Sequence, residues 1–532
     1  MTHEGTRDAV NRSNRILLSI LLIGFLIRAA GLSIVPPALN SDELLKAFDG
    51  ASVYRTGMDH HGDSWPLFFK QSGEYSPSLY IYFAGLFSTL FGVNEYTVRL
   101  PSAILGAASI LVVFLFIRQF WGEKTALIAA TLVAFSPWHV HYSRIGWEAI
   151  SLVPLQLLAL WQFHCWSKTN RWRHILISVS CFGLTMYAYP VARLSSVMLM
   201  AGLAAIHWRA LIKNPKQVSV SFALFILWLC PYLYVLSQNH AAMQARWNFV
   251  SVFNRDDGLL IFIQQYFMHL SPDFLFIRGN PNSMHSLAGG LALCVLLPFF
   301  IAGLVRIIQH RSKEELILLF WFITFAIPAS LTYDKFDPNS MPNALRTVNG
   351  MPILEIISAI GIVWLIGLIK KPQWSSCAAI VISTIIGLNV LYVGYDAVFY
   401  YPKRSAEVWQ YGLREAVQYL EANKALYDRV VISHKARLHP VALAVFSGKI
   451  PGPFSGEDFP KYIMPFYHYV PIYRDFRMKQ YQQYGLISRW YTMAKGKNLL
   501  LAQAGEIDDE KMLWSINNPD GTPAYEIYGT DR

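Results

Sequence analysis

The stretch "ILLSILLIGFLIRAAGLSIVPPALNSDELLKAFDG" (Ile16–Gly50) decides both the fold class and the place to look for chemistry. Its first part, Ile16–Val35, is mostly apolar and is long enough to cross a bilayer as a helix. A signal peptide is the alternative, but the run is longer than a usual signal-peptide core, contains Arg28 and has no small-residue cleavage site after it. We therefore expect a retained first membrane helix with two adjacent carboxylates, Asp42 and Glu43, at its outer edge.

The rest of the chain has the composition of a membrane protein. Of its 532 residues, 54% are hydrophobic and 15% are charged, and the mean hydropathy is +0.32. We predict a polytopic α-helical membrane protein with about 11 transmembrane helices. The expected spans are 16–35, 100–117, 124–138, 149–166, 174–189, 192–208, 218–236, 287–305, 315–331, 348–369 and 376–394.

The basic residues indicate how these spans are oriented. The formal net charge is +11, but Lys and Arg concentrate in short loops, which is typical of cytoplasmic loops and not of a nucleic-acid-binding surface. With the N-terminus in the cytoplasm, an odd number of spans puts the C-terminus outside. The basic loops then all face the cytoplasm: Arg118/Lys124, Lys168/Arg171/Arg173, Arg209/Lys213/Lys216, Arg306/Arg311/Lys313 and Lys370/Lys371.

The long segments all fall on the predicted outer face. We expect a transmembrane domain over 1–394 with large outer loops at 36–99 and 237–286, followed by a small soluble α/β domain over 395–532. In the last segment, "REAVQYLEAN" has helical spacing and "RVVIS" is typical of a strand. The five cysteines lie in or beside apolar runs, so they predict neither a disulfide framework nor a CxxC metal site.

The acidic pair has two interpretations. Asp42 or Ser41 could simply cap a helix that begins "ELLKAFDG", since both residue types are good N-caps. Alternatively, Asp42 is a general base at the membrane surface, a role that contributes roughly 10²–10⁴-fold to a rate. Glu43 would then assist it.

A second group of ionisable residues lies in "FSPWHVHYSRIGWEAIS" (Phe135–Ser151), between two spans. Arg144 and Glu148 could form an ion pair one helical turn apart, or could face the same polar cavity as Asp42. His139 and His141 are candidate ligands for a divalent metal, but they have no clear carboxylate partner and so do not predict a metal site. No other cofactor is predicted.

Two arginines mark the outer ends of later spans. Arg193 lies in "MYAYPVARL" and Arg346 in "NSMPNALRTVNGMP". Each could reach toward lipid headgroups, or could bind a phosphate, for which the guanidinium fork is well suited. Lys70 and Arg55 in the first outer loop could join them. Together the acids and cations suit a lipid-phosphate sugar, whose leaving group is already an anion, so that a single carboxylate base is enough.

The chain resembles the GT-C fold membrane glycosyltransferases related to protein O-mannosyltransferases and aminoarabinose transferases (glycosyltransferase family 39 and its bacterial relatives). The resemblance covers most of residues 35–365 and rests on segments that occur in a recognisable order. They are "SDELLKAFDGASVYRTGMDHHG", "WPLFFKQSGEYSPSLYIYFAGLFSTLFGVNEYTVRLPSAILG", "SPWHVHYSRIGWEAIS", "YAYPVAR" and "NALRTVNGMPILEIISAIG".

The resemblance implies a GT-C fold and transfer of a sugar, with inversion, from a polyprenyl-phosphate donor to an acceptor on the outer face of the cytoplasmic membrane. It implies that Asp42 is the base, that Glu43 supports it and that Glu148 is the second acid of the site. One departure concerns the donor phosphate, because Ser76 stands where relatives often carry a basic residue. Arg346, Arg193, Lys70 or Arg144 would then bind the phosphate.

Two other functions remain as alternatives. A transporter or flippase for a lipid-linked substrate would share the many spans, but such proteins often show internal repeats, and none is evident here. An oligosaccharyltransferase or O-antigen ligase would use a pyrophosphate-linked oligosaccharide. The acceptor, whether glycan, lipid or protein, is not indicated by the sequence.

Overall fold

The computed structural model describes residues 3–71, 74–333, 341–448, 467–470, 496–507 and 511–531, and it is mainly helical. Within these ranges the α-helices are α1 (His3–Ala29), α2 (Ser41–Thr56), α3 (Ser78–Phe91), α4 (Glu95–Ala134), α5 (Pro137–Tyr142), α6 (Ala149–Thr169), α7 (Trp172–Thr185), α8 (Ala192–Ile206), α9 (Trp208–Lys213), α10 (Pro215–Gln238), α11 (His240–Val250), α12 (Gly258–Leu270), α13 (Leu297–His310), α14 (Lys313–Thr324), α15 (Ile327–Ser330), α16 (Ile353–Gly367), α17 (Pro372–Phe399), α18 (Tyr401–Ser405), α19 (Leu413–Asn423) and α20 (Pro440–Phe446). The strands are β1 (Phe68–Gln71), β2 (Glu74–Pro77), β3 (Arg429–Ser433), β4 (Tyr467–Val470), β5 (Lys497–Gln503), β6 (Lys511–Asn517) and β7 (Pro523–Asp531).

Each predicted span overlaps a helix. Two of them share the long helix α4, whose backbone breaks at Gly122, where φ is 83°. Within the described residues, five helices are both long and apolar enough to cross a membrane: Glu95–Ala134, Ala149–Thr169, Pro215–Gln238, Val348–Gly367 and Pro372–Phe399. The sequence prediction missed α12, an apolar helix inside the segment expected to be an outer loop.

The chain forms two compact units. The first, called the helical unit, comprises Met1–Leu32, Leu67–Phe83 and Arg99–Val398, and the second, called the sheet unit, comprises Ser33–Pro66, Ala84–Val98 and Phe399–Arg532. The sheet unit therefore combines the segment after the first helix with the C-terminal part of the chain.

Glycines let the helices of the helical unit pack closely. A Cβ on Gly303 of α13 would lie 2.0 Å from the carbonyl oxygen of Ile357, and a Cβ on Gly361 of α16 would lie 1.9 Å from that of Phe299. Small residues at such contacts bring two helix backbones together, and van der Waals packing is a main source of helix association where there is no water to exclude.

Buried Arg28 joins α1 to the end of α4. Its guanidinium donates hydrogen bonds to the carbonyl oxygens of Gly24 (2.8 Å), Ala134 (2.9 Å) and Val133 (2.9 Å). A charged side chain inside a membrane domain is costly unless it pairs, and here backbone carbonyls provide the partners. Arg28 is therefore part of the packing of the first membrane helix.

The sheet unit contains a five-stranded mixed sheet with the order β4-β3-β5-β7-β6. β3 pairs in parallel with β4 and β5, whereas β7 is antiparallel to β5 and β6. The predicted strand "RVVIS" is β3, and the predicted helix "REAVQYLEAN" lies in α19. The core of this unit includes α2, since Leu44 and Leu45 are buried together with Leu420, Val441 and Leu499.

Candidate active site

The acidic pair lies at the start of α2, where its two members have different surroundings. The helix begins at Ser41 and is capped by Asn40, so neither of the caps expected from the sequence is used. Glu43 completes a capping box: its backbone N–H donates to Asn40 Oδ1 (2.8 Å), and its carboxylate Oε2 accepts from the backbone N–H of Asn40 (3.3 Å). Glu43 is fully buried and fixes the start of the helix.

Asp42, in contrast, is exposed. Among the described residues, its carboxylate has no hydrogen bond or ion pair. It stands in the first turn of α2, where the helix dipole stabilises negative charge. An ionised carboxylate that is held by a rigid helix and has free oxygens is suited to accept a proton from a bound hydroxyl.

A second acidic group, which sequence reasoning missed, lies further along the same helix. Asp49 is buried two turns after Asp42, and its Oδ1 pairs with Nδ1 of His60. Burial by itself would lower the pKa of His60. The nearby carboxylates, Asp49 first among them, have the larger combined effect, so the pKa is raised. The charged pair ties the turn after α2 back onto the helix.

Asp59 organises that turn. Its Oδ1 accepts backbone hydrogen bonds from His61 (2.8 Å) and Asp63 (3.0 Å), while Oδ2 is buried with no hydrogen-bond partner among the described residues. Burial, and then the charge of Asp49, raises the pKa of Asp59 to about 6. The polar run "DHHGD" (Asp59–Asp63) is the sequence signal that could have indicated this group.

In the helical unit, Arg193 is held by aromatic rings. Its guanidinium carbon lies 5.6 Å from the ring centre of Phe68 and 4.9 Å from that of Tyr232. Phe68 in turn stacks on Tyr187 at 5.4 Å. The Nε and Nη2 atoms of Arg193 are buried and make no hydrogen bond within the described residues. A guanidinium that is oriented by ring faces and has donors left over is suited to bind an anion.

Arg346 lies in the helical unit in a different setting. It donates a hydrogen bond from Nη1 to Oγ1 of Thr332 (2.8 Å) and is half-buried. Its charge acts on His285, whose pKa falls to about 3, mainly through burial and then through His141 and Arg346. The His285 ring lies 5.5 Å from the ring of Trp147.

The guanidinium of Arg144 binds backbone carbonyl groups. Its guanidinium donates to the carbonyl oxygens of Ile27 (2.5 Å) and Gly31 (3.0 Å), at and just after the end of α1. Glu148, half-buried, immediately precedes α6, and Lys70 is exposed on β1.

The two histidines that were candidate metal ligands contact other groups. His139 Nδ1 lies 3.0 Å from Nη2 of Arg28, and His141 Nε2 lies 2.9 Å from the carbonyl oxygen of Met284. Among the residues that the structure describes, no group of three or more His, Cys, Asp or Glu side chains could hold a metal ion.

The predicted site residues are therefore divided between the two units. Asp42 and Glu43 belong to the sheet unit, whereas the second acid and the four cations belong to the helical unit. Three of the five in the helical unit, Glu148, Arg193 and Arg346, are half-buried, and Arg144 is buried.

Comparison with known proteins gives a match in sequence and matches in fold. Residues 76–234 match the family model described as dolichyl-phosphate-mannose-protein mannosyltransferase. No curated protein matches the chain in sequence.

Among solved structures, ArnT from Cupriavidus metallidurans bound to undecaprenyl phosphate has a TM-score of 0.56 at 10% identity, covering 96% of this chain and 97% of that one. The apo state of the same protein gives 0.54 at 10% identity, covering 98% of each chain. A more distant likeness, with a TM-score of 0.48 at 13% identity, is to the archaeal oligosaccharyltransferase AglB from Archaeoglobus fulgidus, over 96% of this chain and 74% of that one. The family match and the ArnT-like fold together confirm the resemblance to GT-C fold membrane glycosyltransferases related to protein O-mannosyltransferases.

Proposed function

We propose that this protein is a membrane glycosyltransferase that moves a sugar from a polyprenyl-phosphate donor to an acceptor on the outer face of the cytoplasmic membrane, with inversion. The observation that carries the proposal is Asp42, an exposed carboxylate on a helix whose start is fixed by a buried capping box. The likeness of the whole chain to ArnT, a protein solved with undecaprenyl phosphate, supports the choice of donor.

In the proposed reaction, Asp42 removes the proton from the acceptor hydroxyl. The acceptor oxygen attacks the anomeric carbon from the side opposite the phosphate, and the bond between that carbon and the phosphate oxygen breaks. The phosphate leaves with the bonding electron pair, so cations that face it stabilise the transition state.

We assign to the phosphate the cations that the sequence predicted. Arg193 has buried donors that make no hydrogen bond within the described residues, and Arg346 is half-buried, so we take these two as the main ligands, with Lys70 as a further contact. Arg144, whose guanidinium binds backbone carbonyls at and just after the end of α1, is assigned to holding the chain before α6. Glu148 is assigned to shaping the sugar and base site.

The first test is mass spectrometry of lipids that co-purify with an Asp42→Asn variant in mild detergent. Without its base, the enzyme should retain the donor, and we expect a polyprenyl monophosphate that carries one sugar. The control is Asp256→Asn, which changes an exposed acid of the helical unit and should turn the donor over like the wild type.

Full transfer activity in Asp42→Asn would remove the assignment of the base. Recovery of only a pyrophosphate-linked oligosaccharide would favour an oligosaccharyltransferase or ligase. A bound lipid-linked substrate that is never turned over by wild-type protein would favour a transporter.

A further inference from the structure

The C-terminal part of the chain contacts the start of α2 directly. Oε1 of Gln410 accepts two hydrogen bonds from Ser41, one from the backbone N–H and one from Oγ, each at 2.9 Å. Ser41 is the residue immediately before Asp42. The other end of the same amide, Nε2, donates to the carbonyl oxygen of Arg437 at 2.8 Å.

The backbone on both sides of this contact is strained. Gln410 has φ 57° and Arg437 has φ 52°, so both are in the left-handed region that residues with long side chains rarely adopt. Such conformations persist only where the surroundings impose them, and they collect at functional positions. Gln410 and Arg437 are two such residues, and the hydrogen bond between them holds the amide that contacts Ser41.

We propose that the C-terminal segment positions the catalytic base, because Gln410 fixes the turn that carries Asp42. The inference rests on the proposed function, because it takes Asp42 as the base. Gln410 is a positioning residue, since it acts through α2 and is not required to touch the substrate. The C-terminal segment is then a part of the active site.

The test compares variants of Gln410 with a matched control. Gln410→Ala removes the acceptor for Ser41. Gln410→Glu keeps that acceptor but adds a negative charge one residue from Asp42. The control is Arg414→Ala, which breaks another contact of the same segment, the 2.6 Å pair between Arg414 and Glu95, and removes no atom of the Ser41–Gln410 contact.

Two readouts are needed. The first is the release of undecaprenyl phosphate from undecaprenyl-phosphate mannose by full-length protein in lipid nanodiscs, with the sugar passing to a supplied hydroxyl acceptor or to water, measured as kcat and donor KM across pH. The second is hydrogen exchange of the backbone amides of residues 41–46, which needs no turnover. Every variant is compared at equal folded concentration.

We expect Gln410→Ala to lower kcat by about 100-fold with an unchanged donor KM, because a small misplacement of a catalytic group has that cost. Amides at the start of α2 should exchange faster. Gln410→Glu should retain the high-pH rate, and the acid limb of its pH profile should move to higher pH, because a nearby like charge disfavours ionised Asp42.

Arg414→Ala should match the wild type in kcat, in the pH profile and in exchange at 41–46.

A Gln410→Ala enzyme with wild-type kcat and wild-type exchange would overturn the inference. So would an equal loss in Arg414→Ala, which would show a general effect of loosening the sheet unit. If wild-type protein releases no undecaprenyl phosphate from any polyprenyl-phosphate sugar, the proposed function fails. Exchange at residues 41–46 then decides alone whether Gln410 positions the start of α2.

Discussion

Residues of one type take different roles according to what surrounds them. Arg144 donates hydrogen bonds to backbone carbonyls at and just after the end of α1, whereas Arg193 lies against two aromatic rings, and two of its nitrogens make no hydrogen bond within the described residues. Sequence alone placed both among the candidate phosphate ligands, because a guanidinium at the edge of a span gives no sign of whether its partner is a carbonyl or a ligand.

This difference predicts opposite effects of removing the two side chains. Arg144→Ala removes the donor to the partly buried carbonyls of Ile27 and Gly31, and should lower the melting temperature. Arg193→Ala should weaken binding of undecaprenyl phosphate and change the melting temperature little. Thermal unfolding and lipid binding, both measured in nanodiscs, separate the two. Weaker lipid binding by folded Arg144→Ala at unchanged stability would return Arg144 to the list of phosphate ligands.

Asp59 predicts a pH dependence of stability at the residue scale. Its folded pKa is raised from 3.8 to about 6, mainly by burial, so the folded protein binds more protons than the unfolded chain between about pH 4 and pH 6. The contribution of Asp59 to the free energy of unfolding is therefore most favourable at low pH and falls as the pH rises through 6.

The Asp59→Asn variant tests this directly. It keeps an oxygen for the backbone N–H groups of His61 and Asp63 but cannot ionise. The melting temperature of the variant relative to the wild type should rise between pH 4 and pH 7. A constant difference over that range would show that Asp59 does not titrate in the folded protein with a raised pKa.

At the scale of elements, one close helix contact holds the acid-bearing helix in place. A Cβ on Gly85 of α3 would lie 2.3 Å from the backbone carbon of Gly50 in α2, a distance that no side chain can tolerate. Gly85 lies in the apolar stretch "LYIYFAGLFSTLFG", and its partner in α2 could not be predicted from local pattern.

Gly85→Ala should therefore separate α3 from α2, destabilise the protein by about 1–3 kcal/mol and reduce sugar transfer through displacement of Asp42. Gly387→Ala is the matched control, because Gly387 lies within helix α17 and a Cβ there meets nothing within 4 Å. Its melting temperature should stay the same or increase slightly, since alanine favours a helix. Equal behaviour of the two variants would contradict the close contact.

The elements themselves were largely predictable, because apolar length and periodicity are local properties. Their grouping was not. Ser41 and Gln410 are 369 residues apart, yet they share hydrogen bonds within the sheet unit. Gln410 has no sequence signal that points to α2, and the boundary expected after residue 394 gave no sign that 33–66 would join the residues beyond Phe399.

At the scale of the whole molecule, the distribution of basic residues predicts which side of the membrane each loop and the sheet unit face. Lys168, Arg171 and Arg173 surround the connection between α6 and α7, and short loops rich in Lys and Arg stay in the cytoplasm. The proposed function requires the sheet unit on the opposite side. A membrane-impermeant maleimide can test both positions in a background whose five cysteines are changed to serine.

In intact cells, the reagent should label Pro519→Cys, an exposed position in the turn between β6 and β7, and should not label Thr169→Cys, exposed beside the α6–α7 connection. After permeabilisation both should react, which controls for access. Because the turn at Pro519 and the helix that carries Asp42 belong to the same unit, labelling of the turn also reports the side on which the proposed base works. Labelling of Thr169→Cys alone in intact cells would put Asp42 in the cytoplasm and would exclude transfer on the outer face, whatever the donor.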